Sequence, residues 1–375
     1  MSRLRYPPAR VWVWTAATLA LVVVAALLWR GSDAAATSST TARPADVPSG
    51  APAGAVSEAW SAAGDPLPED VVEDGRVLVG SEHGVRALDP VTGEEAWHYT
   101  RDNAWLCGLT ATDGIAVAVF RTEDRCDEAV GLDAGTGVRS WTRNVNFRAD
   151  ATLTSTSRIV LAHSPTGVVT LDPTGNNIRW RWSAPDGCRL LDAVAGSAGV
   201  AVLQRCGEGD AVQLRLVDGF DGDEHWVRDV VVGDRDDATL LGADRLVGVL
   251  AGDEVRLFGS ADGTQLTTLP AGPDRSAQQT SVPAAVLVAA DGRLTALDPA
   301  SGRLLWEAPA SGLPGPDGEG TVLPVPDGDA VVSREAETGV EVARSTVEGL
   351  PAGSTTTLVG PVVVARLADR VLGYS

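Results

Sequence analysis

A ten-residue phrase that recurs along the chain is the feature that most constrains its fold. The phrase reads apolar-Asp-x-x-Thr-Gly-x-x-x-Trp, and its copies begin 37 to 46 residues apart. Five copies end in Trp, at 88–97, 132–141, 171–180, 217–226 and 297–306; weaker copies without Trp lie in phase at 258–267 and 334–343. A period of about 40 residues indicates a supersecondary unit that must stack on its neighbours to bury its apolar face.

Each phrase predicts the end of a strand, a tight turn whose Gly supplies a positive φ, and a returning strand near the Trp. Apolar, β-branched runs such as 115–120 and 246–250 lie upstream of the phrases, so about four strands fit each period. A solenoid is the alternative for a repeat of this length, but four short strands per period favour a propeller blade. We therefore expect an all-β protein, an eight-bladed β-propeller of four-stranded blades over residues 55–375.

The two ends of the repeat region predict how the ring closes. The chain ends at 369–375, in phase with the strand before a turn, so the last blade lacks a fourth strand. Near the other end, Glu58-Ala59-Trp60 repeats the Glu95-Ala96-Trp97 of the first phrase with no blade upstream of it. We expect an N-terminal strand near 55–62 to complete the last blade, because an open ring would expose two sheet edges.

An uncharged apolar segment precedes the repeats. Residues 11–29 contain no charge and are long enough for a helix to cross a bilayer. Arg3, Arg5 and Arg10 come before the segment and only Arg30 directly after it, which predicts a cytoplasmic tail at 1–10 and an extracytoplasmic propeller. A signal anchor in the cell membrane is the favoured interpretation; a cleaved signal peptide is the alternative, because Ala34-Ala35-Ala36 supplies small residues downstream.

Residues 30–54 are rich in Ala, Ser, Thr, Pro and Gly, and they contain almost no large apolar side chain. A segment of this composition buries too little surface to fold by itself, so a flexible linker is expected there.

The repeated phrases resemble those of the pyrroloquinoline-quinone-like (PQQ-like) propeller family, whose blades carry Ala-Leu-Asp-x-x-Thr-Gly-x-x-x-Trp. Even the leading Ala is present at Ala87 and Ala296. The resemblance implies that the repeated Trp docks each blade on the next, at Trp60, Trp97, Trp141, Trp180, Trp226 and Trp306.

The same family implies two classes of function. Its quinoprotein dehydrogenases are typified by an adjacent Cys-Cys disulfide, a bound Ca²⁺ and a carboxylate base, and this chain has no adjacent Cys pair. Other members are non-enzymatic, including a lipoprotein subunit of the machinery that assembles outer-membrane β-barrels. We expect a membrane-tethered, non-enzymatic binding or scaffolding module without a cofactor; a quinone-dependent dehydrogenase is the alternative.

The four cysteines fall into two similar pairs, separated by 19 and 18 residues at matching places in the second and fourth blades. An extracytoplasmic compartment would oxidise them, so the expected disulfides are Cys107–Cys126 and Cys188–Cys206. Four separate buried thiols or a metal site are the alternatives, and the metal site is disfavoured because no His lies beside them at ligand spacing.

The remaining residues indicate no catalytic or metal site. The four His are scattered over different blades, no Ser lies in a Gly-x-Ser-x-Gly motif, and the acidic run 218–224 lies in a repeat turn. A net charge of −20 excludes nucleic acid as a partner. The candidate binding surface is an upper rim formed by Arg101, Trp105, Arg121 and Arg125, whose partner would be an envelope protein or a cell-surface ligand.

Overall fold

The computed structural model describes residues 9–175, 177–207, 211–232, 238–315 and 321–375, so most of the predicted cytoplasmic tail lies outside the described residues. The N-terminal elements come first in the chain: α1 Ala9–Arg30, α2 Asp33–Ala36, β1 Thr37–Ser39, β2 Ala55–Val56 and β3 Glu58–Ala63.

Four complete blades follow, each with its strands in chain order from the centre of the ring to its outside. Blade 1 contains β4 Val72–Glu73, β5 Arg76–Ser81, β6 Gly84–Leu88 and β7 Glu95–Arg101. Blade 2 contains β8 Trp105–Thr112, β9 Ile115–Arg121, β10 Cys126–Asp133 and β11 Arg139–Phe147. Blade 3 contains β12 Thr152–Thr156, β13 Ile159–Ser164, β14 Gly167–Leu171 and β15 Ile178–Ser183. Blade 4 contains β16 Cys188–Gly196, β17 Gly199–Cys206, β18 Ala211–Val217 and β19 Glu224–Val231.

The second half of the ring has two more regular blades and two that borrow strands. Blade 5 contains β20 Ala238–Ala243, β21 Leu246–Ala251, β22 Glu254–Gly259 and β23 Gln265–Pro270. Blade 6 contains β24 Ala277–Val282, β25 Ala285–Ala290, β26 Arg293–Leu297 and β27 Leu304–Pro309, and the short β28 Leu313–Pro314 follows it. Blade 7 contains β29 Val322–Asp327, β30 Ala330–Glu335 and β31 Glu341–Val347. Blade 8 contains β32 Thr355–Val359, β33 Val362–Arg366 and β34 Arg370–Tyr374.

Strands from the N-terminus complete the last two blades. β3 pairs antiparallel with β34, from Glu58 opposite Tyr374 to Ala63 opposite Arg370. β2 pairs parallel with β31 and gives blade 7 its fourth strand, while β28 pairs parallel with β32. The predicted eight-bladed propeller closed by an N-terminal strand is confirmed.

The repeated Trp residues join neighbouring blades. Each indole N–H donates a hydrogen bond to a carbonyl in the turn of the next blade: Trp60 to Pro90, Trp97 to Ala134, Trp141 to Pro173, Trp180 to Gly219, Trp226 to Ser260 and Trp306 to Ala336, at 2.8–3.0 Å. The indole ring of Trp97 also covers the glycine of that turn. A Cβ on Gly137, whose φ is +75°, would lie 2.6 Å from the indole ring of Trp97. The turn therefore requires Gly for both its backbone angle and its lack of a side chain.

The segment expected to be a flexible linker is folded onto the propeller. β1 pairs antiparallel with β7, and Ala42 N–H then donates to Thr136 O. Arg76 donates to Arg43 O at 3.0 Å, and Thr346 N–H to Gly54 O at 3.0 Å. Residues 37–57 thus form an N-terminal strap that runs along blade 1 and reaches blade 7. A small-residue segment buries few side chains, but its backbone can still pair with an open sheet edge.

Candidate functional site

Two disulfides brace the propeller, as predicted. Cys188 and Cys206 are direct partners on β16 and β17, with Cα atoms 4.0 Å apart. Cys107 lies at a bulge in β8 and Cys126 begins β10, so their bond links the first and third strands of blade 2 across 6.0 Å between Cα atoms. Both bonds lie toward the face on which the chain passes from one blade to the next, here called the upper face.

The upper edge of blade 2 forms a continuous row of side chains. In the strand register, Trp105 lies opposite Arg121, Arg121 opposite Cys126, and Cys126 opposite Phe147. Neighbouring strands are about 4.8 Å apart, so three steps place Phe147 roughly 14 Å from Trp105. We call this row, together with Arg125 in its loop, the blade-2 rim.

Trp105 is the prominent feature of the blade-2 rim. It is 47% exposed, its ring lies 5.0 Å from the ring of His83, and the guanidinium carbon of Arg121 lies 5.9 Å from its centre. Arg125 is exposed in the loop that Cys126 anchors. An exposed Trp beside an Arg side chain, on a blade braced by a disulfide, is typical of a contact surface rather than of the core.

A groove continues the blade-2 rim outward, between blades 2 and 3. Its volume is about 160 Å³, and its lining includes Phe147, Arg148, His163, Arg181 and Trp182. Arg181 donates to Val145 O at 3.2 Å, which fixes one wall. Burial lowers the pKa of His163 despite the opposing charge of Asp192, so this imidazole is neutral at pH 7. A volume of about 160 Å³ gives the groove room for about one side chain of a partner.

Arg101 does not belong to this surface, contrary to the sequence expectation. It is only 1% exposed and forms ion pairs with Asp33, at 2.9 Å, and with Glu128. Its guanidinium also lies 5.9 Å from the centre of the Phe120 ring. Arg101 is therefore a structural residue of blade 1 that joins α2 to blade 2. This ion pair could not be predicted from sequence, because Asp33 lies in the segment expected to be a flexible linker.

The centre of the ring contains a cavity of about 810 Å³, and a loop of blade 1 projects into it. Gly80 N–H donates to Pro66 O and Leu78 N–H to Val71 O, so residues 67–70 bulge away from β5 between these two bonds. Glu69 and Asp70 of this bulge line the cavity, and Arg366 donates to Pro68 O at 2.8 Å. The repeat pattern does not predict this loop, because residues 67–70 depart from the repeat.

The cavity changes the ionisation of these acids. Both side chains touch solvent inside the ring, yet protein surrounds them, and this incomplete hydration raises the pKa of Glu69. The same desolvation, with added repulsion from Glu69 and Glu73, raises the pKa of Asp70 to about 7. Arg366 opposes both shifts without cancelling them. Asp70 therefore changes charge near neutral pH.

The cavity does not fit pyrroloquinoline quinone, which is a planar tricarboxylate. Its described lining includes three acids, Glu69, Asp70 and Asp244, against two cations, Arg158 and Arg366. No aromatic side chain is among the described lining residues to stack on a flat ring. Among the residues that the structure describes, no group of three His, Cys, Asp or Glu side chains could hold a metal ion. No quinone-dependent step is derived from this site.

The closed ring of eight blades and the repeated Trp contacts are those of a PQQ-like β-propeller. The profile of the family described as outer membrane protein assembly factor BamB matches residues 28–194, 167–316 and 290–374. The chain belongs to this family.

Three solved structures to which the chain is similar have low sequence identity to it. BamB from Moraxella catarrhalis is 18% identical, with 85% of this chain and 99% of that chain covered at a TM-score of 0.49. The computationally designed Ika8 protein is 14% identical, with 88% and 98% covered at a TM-score of 0.54. Quinohemoprotein alcohol dehydrogenase from Comamonas testosteroni is 13% identical, with 86% and 76% covered at a TM-score of 0.49. No curated protein matches the chain.

Proposed function

We propose that the chain is a non-enzymatic binding module, held outside the cytoplasmic membrane by α1, that docks a protein of the cell envelope on the blade-2 rim and its groove. The family supports a non-enzymatic binding function, because the description of the family is that of an outer membrane protein assembly factor. Fold alone does not assign function, so the proposal depends on the surface itself.

The membrane tether is supported by α1 and by the cysteines. Residues 10–30 form a helix long and apolar enough to cross a bilayer, and none of the span is buried in the propeller. The Arg residues before the span favour a cytoplasmic N-terminus. Both disulfides fit an oxidising compartment on the other side.

The observation that carries the proposal is that Trp105 and Arg125 are exposed on a part of the blade-2 rim that a disulfide braces. Trp and Arg are the residues most often responsible for binding energy at interfaces, and the blade-2 rim presents Trp105, Arg121 and Arg125. The Cys107–Cys126 bond fixes the loop that carries Arg125. A loop that is already ordered loses little entropy when a partner binds.

Capture of partners from native membranes by the full-length protein tests the proposal. The double variant Arg121→Ala, Arg125→Ala should lose a partner that the unsubstituted protein retains, while its melting temperature changes little. Arg275→Ala, Arg293→Ala is the matched control, because both residues are exposed on the opposite side of the ring. Equal capture by the two double variants would contradict the proposal.

A further inference from the structure

We propose that Trp105 is an interfacial anchor that seats the upper face of blades 1 and 2 in the phospholipid headgroup layer of the membrane that α1 spans. This inference rests on the proposed membrane tether and goes beyond it, because it assigns a lipid-facing surface and an orientation. Trp105 is part of the blade-2 rim, so the inference divides that surface: Trp105 faces lipid, and the groove at the outer end of the rim is left to the protein partner.

The junction between α1 and the propeller has almost no slack. Gly31 N–H donates to Leu27 O at 3.1 Å, and Ser32 N–H to Trp29 O at 3.0 Å, so the helical turn continues past Arg30. The Ser32 hydroxyl also donates to Trp29 O, at 2.7 Å. With a helical rise of about 1.5 Å for each of residues 31 and 32, and at most about 3.5 Å for the step from the extended Ser32, Asp33 lies no more than about 7 Å beyond Arg30. The headgroup layer is itself roughly 6 Å thick, so Asp33 falls within it or at its edge.

Asp33 is clamped to the upper face of the propeller. Its Oδ1 lies 2.9 Å from Arg101 Nη2 and accepts a hydrogen bond from Asn103 Nδ2 at 2.8 Å. Asp102 N–H donates to Ala36 O at 2.9 Å, and β1 then pairs with the end of β7. The connection 101–105 must therefore lie at about the depth of Asp33.

Trp105 is the side chain at this depth that suits a lipid interface. It follows Asn103 by two residues and is 47% exposed. Trp is enriched where hydrocarbon meets headgroups, because its ring is apolar and its N–H is polar. Arg121 at the end of β9 and the loop after it, with Glu123, Asp124 and Arg125, have formal charges that cancel. This loop can approach phosphate groups that the chain as a whole, at −20, would repel.

Position-specific photo-crosslinking tests this contact. The full-length protein, with benzoylphenylalanine in place of Trp105, is reconstituted in vesicles of phosphatidylcholine and phosphatidylglycerol and illuminated. Position 304 is the matched control, because Leu304 is 60% exposed on the outer strand of blade 6. We expect lipid adducts to be several-fold more abundant at 105 than at 304. Equal adducts at the two positions would overturn the inference.

Release of the clamp provides an independent arm. Asp33→Ala combined with Asn103→Ala should reduce the lipid adduct at 105, with near-ultraviolet circular dichroism used to verify the fold. Extraction of the protein by alkaline carbonate would show that α1 is not inserted, and the tether and this inference would then both fail. A protein adduct in native membranes without a lipid adduct would refute the lipid contact while leaving the proposed binding function intact.

Discussion

Replacement of Trp60 by Ala tests whether the N-terminal strand is an integral part of the ring. Trp60 is 9% exposed, and its indole N–H donates to Pro90 O at 2.9 Å. Its ring covers Gly373 on the paired strand and Gly93 in blade 1: a Cβ on these glycines would lie 2.1 Å and 2.5 Å from it. The side chain therefore joins β3, blade 8 and blade 1 at one point.

The expected loss of stability follows from that burial. Removing about 200 Å² of buried Trp surface at about 25 cal/mol per Å² costs up to about 5 kcal/mol. Measured Trp→Ala costs in cores are about 3–5 kcal/mol, so about 4 kcal/mol is expected. The unfolding entropy of a domain of about 320 residues then corresponds to a fall in melting temperature of about 6 °C.

Differential scanning calorimetry of Trp60→Ala and Trp306→Ala measures the effect. Trp306 is the matched control, because it is 8% exposed and makes the same hydrogen bond, to Ala336, between two blades that the chain builds in sequence. Both variants should melt lower by similar amounts. If Trp306→Ala melts early and Trp60→Ala melts with the unsubstituted protein, residues 58–63 do not close the ring.

Three further outcomes are expected. Cys107→Ser with Cys126→Ser should lower the free energy of unfolding by about 3 kcal/mol, the value for opening a closed loop of about 20 residues. In a denaturant titration, reductant should then lower the free energy of unfolding of this variant less than that of the unsubstituted protein. The pKa of Asp70 is raised to about 7 from an ordinary value of 3.8, so the folded state holds its proton more tightly than the unfolded chain does. Stability should therefore fall as pH rises from about 4 through 7, and Asp70→Asn should flatten that fall in melting curves across this range; an unchanged slope would contradict the assignment. A chain that begins at residue 52 keeps β2 and β3 and should be a soluble monomer in size-exclusion chromatography. A chain that begins at Val72 lacks β3, exposes the open edge of blade 8 and should aggregate. If both chains are monomers, β3 does not close the ring.

The features that sequence alone could predict are those tied to the period of the repeat. The turn Gly and docking Trp recur in register, so blade number and ring closure follow from counting. The pairing of the cysteines also follows, but not that Cys126 lies on the third strand of its blade while Cys206 lies on the second. Features that depart from the period could not be predicted in this way. The strap uses backbone pairing, which composition does not reveal, and the Glu69–Asp70 loop is an insertion within one inner strand.

Sequence also predicts the exposure of one residue of the candidate surface correctly and that of another wrongly. Trp105 stands out in the sequence because it matches no repeat position, and it is exposed at the upper edge of blade 2. Arg101 lies only four residues before Trp105 in the sequence. Its ion-pair partner Asp33, however, lies 68 residues earlier, in a segment with no apolar pattern. Only the folding of α2 and β1 onto the end of β7 brings these two charges together, which buries Arg101 and removes it from the surface.

The claim that this propeller acts by binding and not by quinone chemistry is tested most directly by a titration of the purified full-length protein. Pyrroloquinoline quinone is added with Ca²⁺, free quinone is removed by gel filtration, and the visible absorbance that stays with the protein is measured. The acidic cavity and its described non-aromatic lining predict that no chromophore is retained. A stoichiometric chromophore that Ca²⁺ chelation releases would contradict the account.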